Sequence, residues 1–446
     1  MTEQKKQPRE GLTTRIAASE VVYQVLFREI YLDEALGNAI EHYKLGSRER
    51  GLVRAIVTTT LRRLGQIKTL LDEHMKRKMP NKFGLAASIL YTSAAQILFM
   101  NVPDHSAIDL GVGQMRRNKK FNHIAGMSNA VLRKVAGDKE TVLAMSDEGP
   151  HGTGRANAPK WLWQIWAKDF GKPIADQIAG AHLTEPSLDI TTKREDFSFE
   201  MGETLPLGSV RMPEKIGRVD DIDGFEKGDW WVQDFAASLP AKILAKGLTG
   251  TQDKRVLDLC AAPGGKTMQL AAMGNEVTAL DVSPTRLERV TENLERVGLK
   301  AQIVCQDGLE WQPEQLFDGV LLDAPCSATG TIRRHPDAQY LKKSSDIDTL
   351  VKLQAQLIEQ AAKFVQVGGV LLYCTCSLQK REGELQVEAF LAGHDDFERM
   401  PVEAGEMENL EHLINEQGDV RTLPFYRVGE SIGMDGFFIC RLRRKT

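Results

Sequence analysis

Cysteine is scarce in this chain, with six in 446 residues. That excludes the disulfide framework of a small secreted domain, and the crowding of three of the six at positions 326, 374 and 376 suits reduced, working thiols. Long apolar runs are absent too, none approaching the roughly 18 residues that a membrane span needs. Residues 1–11 are polar and carry no apolar core of a secretion signal, so a soluble, cytoplasmic protein is expected, without a membrane. An overall basic excess is also missing: the net charge of -4, taken alone, argues against a nucleic-acid partner. The charge is uneven, however. The first 150 residues hold 23 Lys and Arg against 16 Asp and Glu, leaving 34 against 45 for the remainder. This asymmetry suits a basic RNA-facing module joined to an acidic enzyme, although a merely solvated helical surface has the same composition. At 42% hydrophobic, 446 residues suffice for two or three domains with their own cores.

What is present is organised around residues 256–267, where the apolar run Val256-Leu257-Asp258-Leu259 ends in Cys260-Ala261-Ala262-Pro263-Gly264-Gly265-Lys266-Thr267. This reads as a buried strand turning into a helix, and the crevice beyond such a strand end is where open parallel sheets bind ligands. A phosphate-binding P-loop is the competing reading of Gly265-Lys266-Thr267, but the first glycine of that motif would have to fall at Cys260. Downstream, 276–281 is a second strand ending in Asp281, placed where an acid commonly takes a ribose hydroxyl pair. Residues 283–297 form a helix with Leu287, Val290, Leu294 and Val297 on one face. Residues 301–305 are a third strand, closing with Asp307-Gly308. The fourth, 319–322, ends in Asp323-Ala324-Pro325-Cys326-Ser327, and the fifth, 370–373, in Cys374-Thr375-Cys376-Ser377. Acids and thiols therefore collect at strand ends on one rim of a doubly wound sheet.

The N-terminal third reads as helical throughout. Residues 14–29 and 47–64 are helices, the second opened by a Ser47 cap and studded by Arg48, Arg50, Arg54, Arg62 and Arg63. Pro80-Asn81 breaks the chain before a helix at 83–100, and a further helix begins after Pro103 and runs to the basic cluster Arg116, Arg117, Lys119 and Lys120. Residues 127–135 close the bundle. His105 is a helix-start residue rather than a catalyst. Residues 147–154 are Gly-rich and polar, which suits a linker. Beyond them Trp161, Trp163 and Trp166 either pack a short amphipathic helix or stack on bases. Segments 188–192 and 209–212 look like strands of a small accessory subdomain. The resulting division is 1–148, 149–235 and 236–446.

The combination of Cys260 to Thr267, Asp323-Ala324-Pro325-Cys326-Ser327-Ala328-Thr329-Gly330 and Thr375-Cys376-Ser377 resembles the S-adenosylmethionine-dependent RNA cytosine-5 methyltransferases. Arg333-Arg334-His335-Pro336 and the NusB-like look of the N-terminal third narrow the resemblance to the bacterial small-subunit ribosomal RNA enzymes of the Fmu/Sun (RsmB) type. The resemblance implies an α/β class I methyltransferase fold, Rossmann-like and mainly parallel with an antiparallel last strand, behind an all-α NusB-like RNA-binding domain. It implies methyl transfer from S-adenosylmethionine to carbon 5 of a cytosine in 16S ribosomal RNA by a monomer that needs no metal. Cys376 would be the nucleophile, Cys326 would assist release, and Asp323 and Lys266 would face the base. Cys260, Ala261, Ala262, Pro263, Gly264, Gly265 and Lys266 would line the methionine part of the cofactor, Asp281 its ribose and Asp307 its adenine, with Asp323 close by. Trp231-Val232-Gln233-Asp234 matches a motif that helps shape the site. The family often has an Arg-containing strand where this chain reads Asp189-Ile190-Thr191-Thr192.

The chemistry has its own logic. Carbon 5 of cytosine is too poor a nucleophile to take a methyl from a sulfonium unless a thiolate first adds at carbon 6. The carbon-5 proton must then leave and the thiol be eliminated, so two cysteines can divide attack from release, while an acid holds the amino group and N3. Cys260, Cys305 and Cys440 read as small buried residues. Zinc bound by Cys326, Cys374, Cys376 and His335 is an alternative, although Cys-x-Cys lacks the usual spacing; a redox dithiol is another. Modification of a different RNA such as tRNA, or a noncatalytic RNA-binding factor on the same fold, are the alternative functions.

Overall fold

The computed structural model describes residues 11–77, 79–147, 149, 152–194, 197, 199, 201–213, 216–248 and 254–445. The chain forms two compact units, one of residues 1–184 with Ile332–Lys342, the other of residues 185–331 with 343–446.

The first unit is all-helical among its described residues. Its centre is the helix Gly84–Phe99, in which 13 of 16 residues are buried, so it is apolar nearly all round as a central helix must be. Its few polar groups are paired: the Ser88 and Ser93 hydroxyls donate to carbonyls one turn back, Thr92 meets Ser19, and Gln96 accepts from Arg15. Helices Leu12–Arg28, Leu32–Tyr43 and Ser47–Arg62 share one core built on Val21, Val25, Leu36, Ile56 and Leu61. Leu64–His74, Asp104–Arg117 and Ala125–Gly137 share another with the central helix, built on Ile67, Leu90, Ile108 and Leu132.

The expected 47–64 helix breaks at Arg63, and Ser47 is its first residue rather than its cap. The Glu49 carboxylate instead accepts the Gly46 N–H at 2.9 Å. Arg62 is buried and donates to the Arg333 carbonyl, while Arg63 forms a forked pair with Asp147, so two of the five arginines that stud the expected helix are structural. Arg116, Arg117, Lys119 and Lys120 are all exposed, at the end of Asp104–Arg117 where positive charge is favoured.

The stretch expected as a linker is tied to the bundle through Asp147 and Thr153; positions 148, 150 and 151 lie outside the described residues, as does the N-terminal segment 1–10. Beyond it, Trp163 and Trp166 are buried in the pair of helices Lys160–Phe170 and Lys172–Ala181, with Trp163 Nε1 donating to Asp176, which excludes base stacking by these two rings. Ile332–Lys342 completes this unit: Asp337 accepts the Leu32 N–H at 3.0 Å, and the Tyr340 hydroxyl donates to the Leu61 carbonyl at 2.7 Å.

The second unit opens with a four-stranded antiparallel sheet of β1 (Asp189–Thr192), β2 (Glu203–Thr204), β3 (Ser209–Arg211) and β4 (Trp230–Val232), in the order β2-β3-β1-β4. Asp189, in the segment where the resemblance implies an Arg-containing strand, is fully buried and makes a forked ion pair with Arg211 on the neighbouring strand. The large sheet contains β5 (Arg255–Leu259), β6 (Glu276–Asp281), β7 (Gln302–Cys305), β8 (Phe317–Asp323), β9 (Val365–Thr375), β10 (Phe397–Arg399) and β11 (Val420–Arg421). After the hairpin β12 (Arg427–Val428) and β13 (Ser431–Ile432), it is completed by β14 (Phe438–Arg444). Strand order is β10-β14-β9-β8-β5-β6-β7, with β11 beside β14. Strands β5 to β9 are mutually parallel, and β14 runs antiparallel to β9, as the resemblance implies.

Alternation along β9 sends Val370, Leu372 and Cys374 into one core with helix Phe235–Gly247, and Leu371 and Tyr373 into another with helix Ser344–Phe364. The sheet is thus covered on both faces, and parallel strands of this kind present their C-terminal ends as one edge. Helix Pro284–Val297 buries Leu287, Val290, Leu294 and Val297 as its periodicity predicts, capped by Ser283.

Candidate active site

Strand register lines up the chemical groups along the C-terminal edge. Leu259 pairs with both Leu280 and Leu322, Asp281 with Cys305, and Asp323 with Cys374. Asp281, Cys260, Asp323 and the two thiol loops therefore stand on adjacent strand ends.

The turn after β5 takes an unusual path. Cys260 has φ 67° and Gly264 φ 99°, both left-handed, and the N–H groups of Cys260 and Ala261 both donate to the Leu280 carbonyl. Gly264 then precedes helix Gly265–Ala272. A β-carbon on Gly265 would lie 3.3 Å from Gln233 Nε2, so the Gln233 side chain packs directly beneath the loop, held by Trp231 and Gln269. Asp281 is almost fully buried; its carboxylate accepts the N–H groups of Ala262 and Ser283. Arg286, which the sequence reading missed, lies 3.4 Å from Asp281 and donates to the Ala262 carbonyl at 2.6 Å. Asp307 is exposed just beyond β7 and accepts the Leu309 N–H.

On the other side of β5, Lys266 Nζ donates to Asp323 Oδ2 at 2.8 Å and lies 5.4 Å from the centre of the Phe437 ring. Burial works against the Lys266 cation, but the Asp323 carboxylate outweighs it, and the pKa is raised. The lysine is a fixed positive charge. Cys374, fully buried, is 3.6 Å from Asp323 Oδ1, and burial and that carboxylate push its thiol well up, so it is a protonated and unreactive neighbour.

Cys326 and Cys376, 50 residues apart in sequence, bring their sulfurs within 3.4 Å. Contact with the Cys376 sulfur, and then burial, raise the Cys326 thiol well above its ordinary value. Cys260 is raised as well, by burial first and then by Asp323 and Asp281. Among the cysteines expected to be buried, Cys440 is; Cys260 is half-buried and Cys305 is exposed, because it ends β7 at the sheet margin. Among the described residues, no group of three or more His, Cys, Asp and Glu side chains could hold a metal ion. No helix among them is long and apolar enough to cross a membrane.

Asp258, beneath the loop on β5, is also outside the sequence reading. It is fully buried, accepts from the Thr267 hydroxyl at 2.6 Å, and burial pushes its pKa up to about 6. Since the folded value exceeds the unfolded one, the native state binds the extra proton between about pH 4 and 6, and stability falls as pH rises through that window. Asp258→Asn keeps the acceptor for Thr267 without the charge. It should abolish this fall, removing a pH-dependent loss on the order of 3 kcal/mol between about pH 4 and 7. Denaturant midpoints of both proteins at pH 4.5 and 7 check it; parallel pH profiles would refute it.

Comparison with known proteins bears on both units. Residues 245–443 match the family described as 16S rRNA methyltransferase RsmB/F, and residues 12–137 match the NusB family. The ribosomal RNA small subunit methyltransferase B of Vibrio cholerae is 32% identical over 400 residues, 85% of this chain and 89% of that protein. The protein of the same name from Shewanella oneidensis is 30% identical over 454 residues, covering 98% of this chain and 100% of its own. Among solved structures, PH0851 superposes with a TM-score of 0.70 at 20% identity, over 97% of this chain and 99% of that one. A methyltransferase homolog from Pyrococcus horikoshii gives 0.51 at 22% identity, over 67% and 96%. At those identities the two structures speak to the fold.

Proposed function

Because the chain belongs to the 16S rRNA methyltransferase RsmB/F family, we propose that it methylates carbon 5 of a cytosine in small-subunit ribosomal RNA, through a covalent bond from Cys376 to carbon 6. The observation that carries the cytosine-5 reading is the 3.4 Å approach of Cys326 and Cys376 beside the Lys266–Asp323 pair. One thiol would suffice for a simple nucleophile; two in contact suit a reaction that must both add and release.

S-adenosylmethionine, when bound, supplies an electrophilic methyl group. The donor set along the sheet edge suits it: the Asp281 carboxylate for a vicinal diol, Asp307 for an exocyclic amine, and the Cys260 to Lys266 turn with its helix N-terminus for an amino-acid carboxylate. Asp323, one oxygen of which already accepts from Lys266, has acceptor capacity left for the cytosine amino group. The Cys376 thiolate adds to carbon 6, so that electron density moves to carbon 5.

The cause of the Cys326 shift suggests how release follows attack. While Cys376 is free, contact with its sulfur keeps Cys326 protonated, and the Cys326 S–H can donate toward the attacking sulfur. Once Cys376 is bonded to carbon 6 that influence is gone. Cys326 can then give up its proton to solvent, and as thiolate it takes the carbon-5 proton, the electron pair of that C–H bond expelling the Cys376 thiolate from carbon 6. The exposed cluster Arg116, Arg117, Lys119 and Lys120 is proposed to contact phosphates of the RNA.

The test is to incubate the purified protein with methyl-labelled S-adenosylmethionine and unmodified small-subunit RNA, then analyse the nucleosides. Label should appear in 5-methylcytidine; label confined to any other nucleoside, or none with a folded protein, rejects the proposal. For the cofactor site, Asp281→Ala should weaken S-adenosylmethionine binding by about 1 to 3 kcal/mol, because the hydroxyls lose a charge-assisted partner. Titration calorimetry measures this, and an unchanged affinity in a folded variant removes Asp281 from the ribose site.

A further inference from the structure

The two thiol loops meet on a single buried carboxylate. Glu382, fully buried, lies six residues beyond Cys376 in a short turn of helix, Lys380–Glu382. Its Oε1 accepts the Ser327 N–H at 2.9 Å and the Gln354 amide at 3.0 Å; its Oε2 accepts the Ser327 hydroxyl at 2.5 Å and the Ser377 hydroxyl at 2.6 Å. Ser327 and Ser377 are the residues that directly follow Cys326 and Cys376. The same Gln354 amide donates to the Pro325 carbonyl at 2.8 Å, on the other flank of Cys326, and the Tyr373 hydroxyl fixes the Glu382 backbone at 2.7 Å.

We propose that Glu382 is a positioning residue for the reaction, holding the Cys326 and Cys376 loops at the separation that lets one sulfur attack while the other waits in contact. It acts through the two serines. This rests on the two-thiol reading given above. A carboxylate suits the task better than a neutral group because it offers acceptor sites on two oxygens and no donor, and all four groups facing it are donors. An amide of the same shape has one acceptor oxygen and turns an N–H₂ toward donors. A displacement of about 1 Å in either loop is enough to cost on the order of 100-fold in rate. Arg421 and Glu384 also lie beside this knot: Arg421 donates to the Ser377 carbonyl and pairs with Glu384, so it braces the second loop as well.

Glu382→Gln tests this in the full chain, with three readouts. Phenylarsine oxide condenses with two thiols to form two As–S bonds and water, and holds firmly only where the sulfurs are adjacent. The wild type should bind one equivalent that excess mercaptoethanol does not remove, Cys326→Ala should not, and Glu382→Gln should release it about tenfold faster because the loops are no longer pinned. In a Cys376→Ala background, the pH midpoint for alkylation of Cys326 by iodoacetamide should move down with Glu382→Gln, since the carboxylate's negative charge contributes to holding that thiol up. Loosened packing alone would raise the rate at every pH and leave the midpoint in place. In methyl transfer, kcat should fall about 100-fold with the KM for S-adenosylmethionine within twofold. Wild-type retention of the arsenical and a wild-type alkylation midpoint in a folded Glu382→Gln protein overturn the positioning role. These two measurements need no RNA, so they decide it even if wild-type protein yields no 5-methylcytidine, a result that counts against the proposed reaction alone. If Glu382→Gln does not fold, Ser377→Ala removes one of the four bonds, and the same release assay should show a smaller change of the same sign; no change there has the same overturning force.

Discussion

Cys376→Ala yields neither methylated RNA nor a covalent protein–RNA species, whereas Cys326→Ala accumulates an RNA adduct that survives denaturing electrophoresis. These opposite outcomes are expected from two residues whose sulfurs touch. Without Cys376 nothing adds to carbon 6, and methyl transfer should fall by on the order of 10⁴-fold or more, as when a nucleophile is removed from other covalent enzymes. Without Cys326 the attack still occurs, because the Cys376 nucleophile is intact. What is missing is the base that clears carbon 5, so the enzyme stalls after methylation. If the pair were divided the other way, the adduct would appear in Cys376→Ala and vanish in Cys326→Ala. A redox dithiol gives no adduct in either. One gel with both variants, S-adenosylmethionine and small-subunit RNA separates these outcomes, and an adduct persisting in Cys376→Ala would overturn the assignment of the nucleophile.

How much of this was legible in the sequence depends on the range of the interactions. Strand ends announce themselves locally: 276–281 is an apolar run closed by an acid and matches β6 end to end, and the helix after it carries both its cap and its apolar face in 15 consecutive residues. The alignment of Asp281, Asp323, Cys326 and Cys376 on one rim followed from strands read in parallel, since each such strand delivers its last residue to the same edge. Boundaries set by tertiary contact were not legible. The break at Arg63 has no proline or glycine at that residue to signal it; the arginine leaves the helical path and pairs with Asp147, 84 residues on. The tryptophans at 163 and 166 fit packing of an amphipathic helix better than base stacking, but the choice is settled only when Asp176 is seen to take the Trp163 N–H and both rings are buried.

Glu382 and Asp258 went unread for a different reason. Each is an acid in a stretch with other plausible explanations, Glu382 among Lys380, Arg381 and Glu384, Asp258 as a polar interruption in an apolar strand. Their significance comes from full burial together with partners supplied by other segments. A buried carboxylate must be satisfied or neutral, and in these two cases the chain shows one of each: Glu382 takes four hydrogen bonds, while Asp258, with one oxygen unpartnered, has its pKa pushed up instead.

Asp323→Ala should reduce single-turnover methylation by about 10²- to 10⁴-fold, the range in which a positioned acid or base contributes. Asp323 ends β8 against Cys374 of β9 and is the acceptor for Lys266, so its replacement removes both the proposed contact for the base and the counter-charge of a nearly buried lysine. The two losses can be separated. Lys266→Met alone leaves the carboxylate without its cation; Asp323→Asn alone leaves the cation without its carboxylate, and breaking one side of a desolvated pair generally costs more than removing both. If the pair acts as a unit, the Lys266→Met/Asp323→Asn double variant should be no slower than the slower single variant, and its thermal stability should exceed that of Asp323→Asn. Independent roles would instead multiply: two 100-fold losses would give roughly 10⁴. Single-turnover rates with saturating S-adenosylmethionine on the four proteins of the cycle make the distinction, and multiplicative losses would show that Lys266 and Asp323 reach the substrate separately rather than as one charged pair.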